Sequence, residues 1–356
     1  MKLFECQYCG QLLHFENTRC ERCGHVLGYL PDRSALSALT PQGGDLWQPL
    51  AALGERYRFC LNNAYDSCNW LVPESSPEVF CLSCRTNRTI PDLGQIEYRL
   101  PFQRLQIAKH RLFHGLLRFG LPVRNKMDDS DGGLAFDFLA DPDPTFRESQ
   151  RVMTGHAQGV VTINIAEADD AERERQRKEM AEPYRTILGH FRHEVGHYYW
   201  EKFVRDGPLL DSFRQLFGDE SRDYGASLES YYSSGPPSDW PQHFVSAYAS
   251  AHPWEDWAES WAHYLHMVDA LETAYAYGLS LSPMAGHDQA LVMSVIFDAY
   301  NQPDFDTLVG AWLPLTYAVN SLNRSVGQPD LYPFVLTSAV LKKLRFIHDL
   351  IRTVRA

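Results

Sequence analysis

At 356 residues the chain has room for a catalytic domain and one or two small modules, and its 44% hydrophobic and 22% charged content is ordinary for a soluble globular protein. The formal net charge is −12, with 8 Lys/Arg against 10 Asp/Glu up to residue 94 and 25 against 35 beyond it. Neither part has the excess of cations that gripping phosphate requires, which argues against a nucleic-acid partner. No run approaches the ~20 apolar residues of a membrane helix, and the first residues, Met1-Lys2-Leu3-Phe4-Glu5-Cys6, hold no long apolar run and do not read as a signal peptide. The expectation is a cytoplasmic protein without a membrane partner, where cysteines serve more often as metal ligands than in disulfides.

All eight cysteines fall before residue 85. The first four read Cys6-x2-Cys9-x10-Cys20-x2-Cys23, two CxxC pairs with the spacing of a tetrahedral thiolate zinc site. Gly10 and Gly24 follow the second cysteine of each pair, where a tight turn lets backbone N–H groups point at sulfur. Residues 1–30 therefore read as a zinc ribbon with four thiolate ligands. Reactive or disulfide-forming thiols would leave the doubled spacing unexplained. Residues 31–59, with Pro31, Pro41, Gly43, Gly44 and Pro49, read as a connector. A second, less regular set, Cys60-x7-Cys68-x12-Cys81-x2-Cys84, completes a module that runs to residue 94. The alternative for it is a group of small buried hydrophobes. Modules this short bury little core, so zinc would supply their folding energy.

Beyond Pro91, Phe102, Leu105, Ala108, Leu112 and Leu116 recur at helical spacing and predict an amphipathic helix over 102–118. Alternating apolar residues predict strands over 133–141 and 159–168. Residues 167–182 are a mixed charge run that reads as solvated helix or loop. Helix resumes near Pro183, carries "GHFRHEVGHYYW" (189–200) and ends before Gly207; residues 233–241 read as a loop, and the chain from Pro253 onward as mostly helical.

On that helix His193 and His197 stand at i and i+4, one turn apart on one face, which is the spacing one metal ion needs from two imidazoles. Glu194 beside them is placed to hold an attacking water, accept its proton and pass it to a leaving amine. The bland alternative is a polar helix face with buried, satisfied histidines. A third ligand six residues after His197 is ruled out, because Phe203 stands there. "HPWEDWAESWAHYLH" (252–266) supplies a better one. Pro253 suits a first helical turn, Glu255 and Glu259 share a face, and Ala258 and Ala262 permit close helix approach. Glu255 reads as third ligand and Glu259 as the carboxylate that orients a ligand histidine through its other ring N–H. Two merely solvated glutamates would not account for the surrounding Trp254, Trp257, Trp261 and Tyr264. Tyr248, seven residues before Glu255, could reach an oxygen that becomes negative in a tetrahedral intermediate.

Residues 189–200 with 248–266 resemble a gluzincin metallopeptidase. The Tyr-x6-Glu-x3-Glu order of "YASAHPWEDWAE" is similar to that of the anthrax lethal factor catalytic domain. That resemblance implies that Tyr248 stabilises the oxyanion, Glu255 binds zinc and Glu259 supports from outside. Nearly the whole chain resembles a bacterial zinc-binding metallopeptidase family with an N-terminal zinc ribbon, as in "TGHAQGVVTINIAEADD" and "LNRSVGQPDLYPFVL". It implies an α+β fold: a zincin-like domain over 95–356, mostly helical with a small sheet and a helical C-terminal part, preceded by one or two zinc-ribbon modules. In such folds an edge strand pairs with extended substrate, and "GVVTINIAE" (159–167) is the candidate, against the alternative of an ordinary half-buried strand. His156, His190, His252, His263 and His266 then read as structural or substrate-facing.

The expected function is a zinc peptidase with one catalytic and two structural Zn²⁺, a peptide or protein substrate, and ribbons that dock a protein partner. The rival is a ribbon-based binding protein on a silent zincin scaffold. An intact Glu194 argues against it, because a scaffold has no use for that carboxylate.

Overall fold

The structure is a computed structural model that describes residues 2–141, 152, 154–179, 185–284 and 288–355. The chain divides into two compact units, Met1–Arg173 and Glu174–Ala356, a division that does not coincide with the sequence-derived limits at 30 and 94.

The first unit opens with the antiparallel pair β1 (Phe4–Glu5) and β2 (Leu12–Leu13). Then β3 (Leu27–Leu30), β4 (Ala35–Pro41), β5 (Trp47–Pro49), β6 (Tyr57–Phe59) and β7 (Leu71–Pro73) form an antiparallel five-stranded sheet in sequential order. The connector read over 31–59 is thus corrected: that segment supplies three strands of the sheet, β4, β5 and β6. Its prolines and glycines mark turns and strand ends, with Pro31 opening a short 3-10 turn and Pro41 and Pro49 closing β4 and β5. β4 escapes the pattern because Leu36, Ser37, Ala38 and Leu39 are all buried, so the alternation that signals a half-exposed strand is missing. The polar member, Ser37, is satisfied: its hydroxyl accepts from Ala51 N at 3.0 Å. Leu30, Leu39, Ala52, Tyr57 and Leu71 pack together as the core of this sheet.

β8 (Asn87–Thr89), α1 (Ile96–Arg118), β9 (Ala135–Leu139), β10 (Gly155–Ala157) and β11 (Val160–Asn164) follow, and the strands form a sheet in the order β10-β11-β9-β8. α1 begins six residues before the apolar repeat, with Pro101 inside it, and buries Phe102, Leu105, Leu112 and Leu116. β11 pairs with β9 on one side and β10 on the other. It is therefore an interior strand, and the reading of 159–167 as a free edge is corrected. The hairpin partner at 155–157, too short to show a pattern of its own, occupies that edge. The charged run forms α2 (Asp170–Glu179), where Arg177 Nε pairs with Glu174 Oε2 at 2.7 Å.

The second unit is mostly helical: α3 (Ile187–Phe203), α4 (Leu210–Phe217), α5 (Tyr224–Ser234), α6 (Trp240–His243), α7 (Pro253–Ala276), the short pair β12 (Ser280–Leu281) and β13 (Met293–Ser294), α8 (Phe305–Ser325) and α9 (Ser338–Val354). Pro183, near which the sequence predicts helix to resume, lies outside the described residues; α3 is capped by Thr186, whose hydroxyl accepts from Gly189 N at 3.0 Å. α3 packs on α7 around fully buried Trp257 and Trp261, with Tyr199 stacked on Trp261 at 5.0 Å between ring centroids. Truncating a tryptophan so placed would cost about 3–5 kcal/mol. On the other side of α7, buried Lys343 of α9 pairs with Asp256 at 2.6 Å. No described helix is long and apolar enough to cross a membrane.

Candidate active site

α3 and α7 bring three potential ligands to one point. His193 Nε2 and His197 Nε2 lie 3.2 Å apart, and Glu255 Oε2 is 3.0 Å from the first, while Glu255 Oε1 is 3.6 Å from the second. All three residues are buried, Glu255 completely. A tetrahedral zinc with Zn–N bonds of about 2.0–2.1 Å holds two nitrogens roughly 3.3–3.4 Å apart, so the spacing suits that ion. The proton chemistry points the same way. His193 Nδ1 faces Glu259 Oε1 at 2.8 Å, and a proton there leaves the Nε2 lone pair aimed at Glu255. Glu255 Oε2 is itself buried and accepts no hydrogen bond. Buried acceptors facing one another are costly unless a cation lies between them. Burial opposes a charge on His193, yet Glu255 and Glu259 outweigh it and hold the imidazole well above its ordinary pKa; the two carboxylates thus favour a positive charge at Nε2, which either a proton or a metal ion supplies. Burial also opposes the charge on Glu259, but His193 brings its carboxyl down to about 2.

Local sequence explains the placement. His252 caps α7 by accepting from Trp254 N at 3.1 Å, and Pro253 occupies the first turn, so Glu255 projects from the positive end of the helix. Gly196, between the two histidines, lets α7 come close: a Cβ there would stand 3.1 Å from Ala258 Cα and 3.2 Å from Trp261 Cβ. Trp257 seals the contact by donating to Gly196 O at 2.8 Å.

Glu194 is buried next to His193, and His190 Nε2 approaches its Oε1 at 3.2 Å. Burial raises its carboxyl, but His190, His193 and His197 together keep it below the usual value. Tyr248 lies in a 3-10 turn, with its ring centroid 6.0 Å from that of His193. Burial and then the Glu255 carboxylate push the phenol well up, so Tyr248 keeps its proton and can donate it in a hydrogen bond.

Three further residues contribute without having been singled out for these roles. Ser246 donates to Glu259 Oε2 at 2.6 Å, and Tyr224 donates to Glu255 Oε1 at 2.7 Å; neither stands at a recognisable spacing from its partner. His190 was visible, since it precedes Glu194 by one helical turn. Among the other histidines, His252 is a cap, His263 Nδ1 meets Tyr332 OH at 2.7 Å, His266 meets Arg192, and His156 accepts from Gly159 N at 2.9 Å in the first unit.

The eight thiols form two clusters, Cys6, Cys9, Cys20 and Cys23, and Cys60, Cys68, Cys81 and Cys84, with no disulfide. Sulfur separations are 3.7 Å for Cys6–Cys23, 3.6 Å for Cys9–Cys20 and 3.7 Å for Cys68–Cys81. Four sulfurs at about 2.3 Å from one zinc stand roughly 3.8 Å apart, so both clusters suit that ion. Gly10 and Gly24 take positive φ, 70° and 76°, at the turns of the first cluster. The second lacks such glycines, yet Trp70 N, Cys81 N and Cys84 N each donate to a cluster sulfur at 3.4 Å.

Fold and site together define a zinc-ribbon domain followed by a zinc-binding metallopeptidase domain in an α+β chain. A zinc-ribbon family model matches residues 3–95, both cysteine sets included. The chain belongs to the family described as "Putative zinc-binding metallo-peptidase", whose model matches residues 99–350. It is similar to uncharacterized proteins of Mycobacterium bovis and of two strains of Mycobacterium tuberculosis, each 41% identical over 354 residues, which is 99% of this chain and 95% of the relative. No solved structure matches it.

Proposed function

We propose that the chain is a zinc-dependent peptidase that hydrolyses peptide bonds, with one catalytic zinc held by His193, His197 and Glu255. Two structural zinc ions would be held by Cys6, Cys9, Cys20 and Cys23 and by Cys60, Cys68, Cys81 and Cys84. The observation that carries this reading is the convergence of the two Nε2 atoms and the bare Glu255 Oε2 beside Glu194. When bound, zinc supplies Lewis-acid polarisation of the scissile carbonyl and a more acidic attacking water. The rest falls to side chains. Glu194 takes the proton of the attacking water and returns it to the leaving amine. Tyr248 donates to the developing oxyanion, a role supported by its neutral phenol and by the lethal-factor-like order of Tyr248, Glu255 and Glu259. Glu259, itself held by Ser246, keeps His193 in the tautomer whose Nε2 faces the metal.

The domain limits that accompany this reading are a first ribbon over 1–30, a second cysteine module within 31–94 and the zincin-like domain over 95–356. The ribbons serve as docking modules for a protein partner, and eight unbridged thiols suit the cytoplasm. Comparing protein fragments in cells that express the native chain with fragments in cells that express Glu194→Ala tests the reading. Fragments that disappear with Glu194→Ala, and cleavage of the corresponding peptides in vitro slowed about 10²–10⁴-fold, are the expected result. Identical fragment sets from the two would sink it.

A further inference from the structure

We propose that Tyr224 is a positioning residue: its phenol occupies one oxygen of Glu255 and so reserves the other for the metal. The inference rests on the zinc reading above and adds how the third ligand is oriented. The two oxygens of Glu255 are not equivalent. Oε1 accepts from Tyr224 OH at 2.7 Å. Oε2 is buried without a hydrogen-bond donor and stands 3.0 Å from His193 Nε2. A carboxylate free to rotate can present both oxygens to one cation, which consumes a coordination position; a catalytic centre needs one position open for water or substrate. A short hydrogen bond from a phenol to an ionised carboxylate is among the stronger ones and fixes the plane of the group.

The rest of Tyr224's surroundings support a specific placement. It is the first residue of α5, capped by Asp223, whose carboxylate accepts from Ala226 N at 2.8 Å. Its ring packs edge-on against His252 and Trp254, the residues that start α7, at centroid distances of 5.3 and 5.7 Å. α5 buries no side chain of its own. Ring packing brings the phenol to this end of α7, and the bond to a completely buried carboxylate fixes where the hydroxyl points. A tether of α5 with no bearing on the metal would predict a different outcome below.

The test uses the full chain. Mild chelation empties the histidine–glutamate site while the thiolate sites keep their zinc, and cobalt(II) is then titrated in as a visible probe. Tyr224→Phe keeps the ring and removes only the hydroxyl; retained thiolate zinc and an unchanged Tm report its fold. Cobalt should bind this variant about 10–100-fold more weakly. Its ligand-field absorption should also weaken, as Glu255 turns both oxygens to the metal and the coordination number rises. Cobalt affinity and spectrum equal to those of the native chain would overturn the proposal. Glu255→Ala, run alongside, separates this from the underlying reading: if that variant also binds cobalt like the native chain, the site assignment itself fails.

Discussion

Trp257 donates its indole N–H to the carbonyl of Gly196 at 2.8 Å, and this bond crosses between α7 and α3 at the level of the two histidines. The carbonyl belongs to a residue whose missing side chain is what allows the approach. Gly196→Ala would gain about 0.5–1 kcal/mol of helix propensity. It would also press a methyl to 3.1 Å from Ala258 Cα, a backbone atom that cannot step aside. Overpacking of this kind costs about 1–3 kcal/mol, so it should win. Thermal unfolding should show a lower Tm, and zinc in the histidine–glutamate site should bind more weakly because α3 and α7 are pushed apart. A variant as stable as the native chain would show that the helices have slack.

Metal content distinguishes the ligand from its support. The native chain should hold three zinc ions and Glu255→Ala two, by elemental analysis against protein concentration. Glu259→Ala should keep the third ion but lower its affinity or the activity by about 10–100-fold, since it removes only the partner of His193 Nδ1. An unchanged metal count in Glu255→Ala would show that another carboxylate is the ligand.

Tyr248→Phe separates mechanism from packing. Deleting one donor to an oxyanion typically costs about 10²–10³-fold in kcat. The ring remains beside His193 and Tyr231, so zinc content and Tm should hold. An unchanged kcat with a lowered Tm would make Tyr248 a packing residue.

Chelator titration should remove zinc in two stages. The ion at the histidine–glutamate site leaves first and takes activity with it. The thiolate ions follow under harsher conditions, with loss of structure in the N-terminal region, because closed four-thiolate sites carry folding energy. Circular dichroism recorded at each stage checks the order. Simultaneous loss of all metal would contradict it.

The histidine pair, Glu194, Glu255 and Glu259 were legible because each lies one helical turn from a partner, or next to one, in the chain. The cysteine sets were legible for a similar reason: metal ligands recur at short, restricted spacings. β4 was not legible, because burial on both faces erases the period of two on which strand recognition depends. Nor was the interior place of β11, since its partners are a short hairpin strand and β9, whose residues pair with it from 25 positions away.

What the sequence determined by itself is which atoms could bind metal and on which helix face they lie, because helical geometry converts spacing into direction. What only the tertiary structure decided is how those faces meet. The hydroxyl of Ser246 on Glu259, the phenol of Tyr224 on Glu255 and the gap that Gly196 leaves for Ala258 are contacts between segments whose relative position no local period encodes. They follow from how α3, α5 and the segment before α7 each pack onto α7, and packing is a property of the folded chain as a whole.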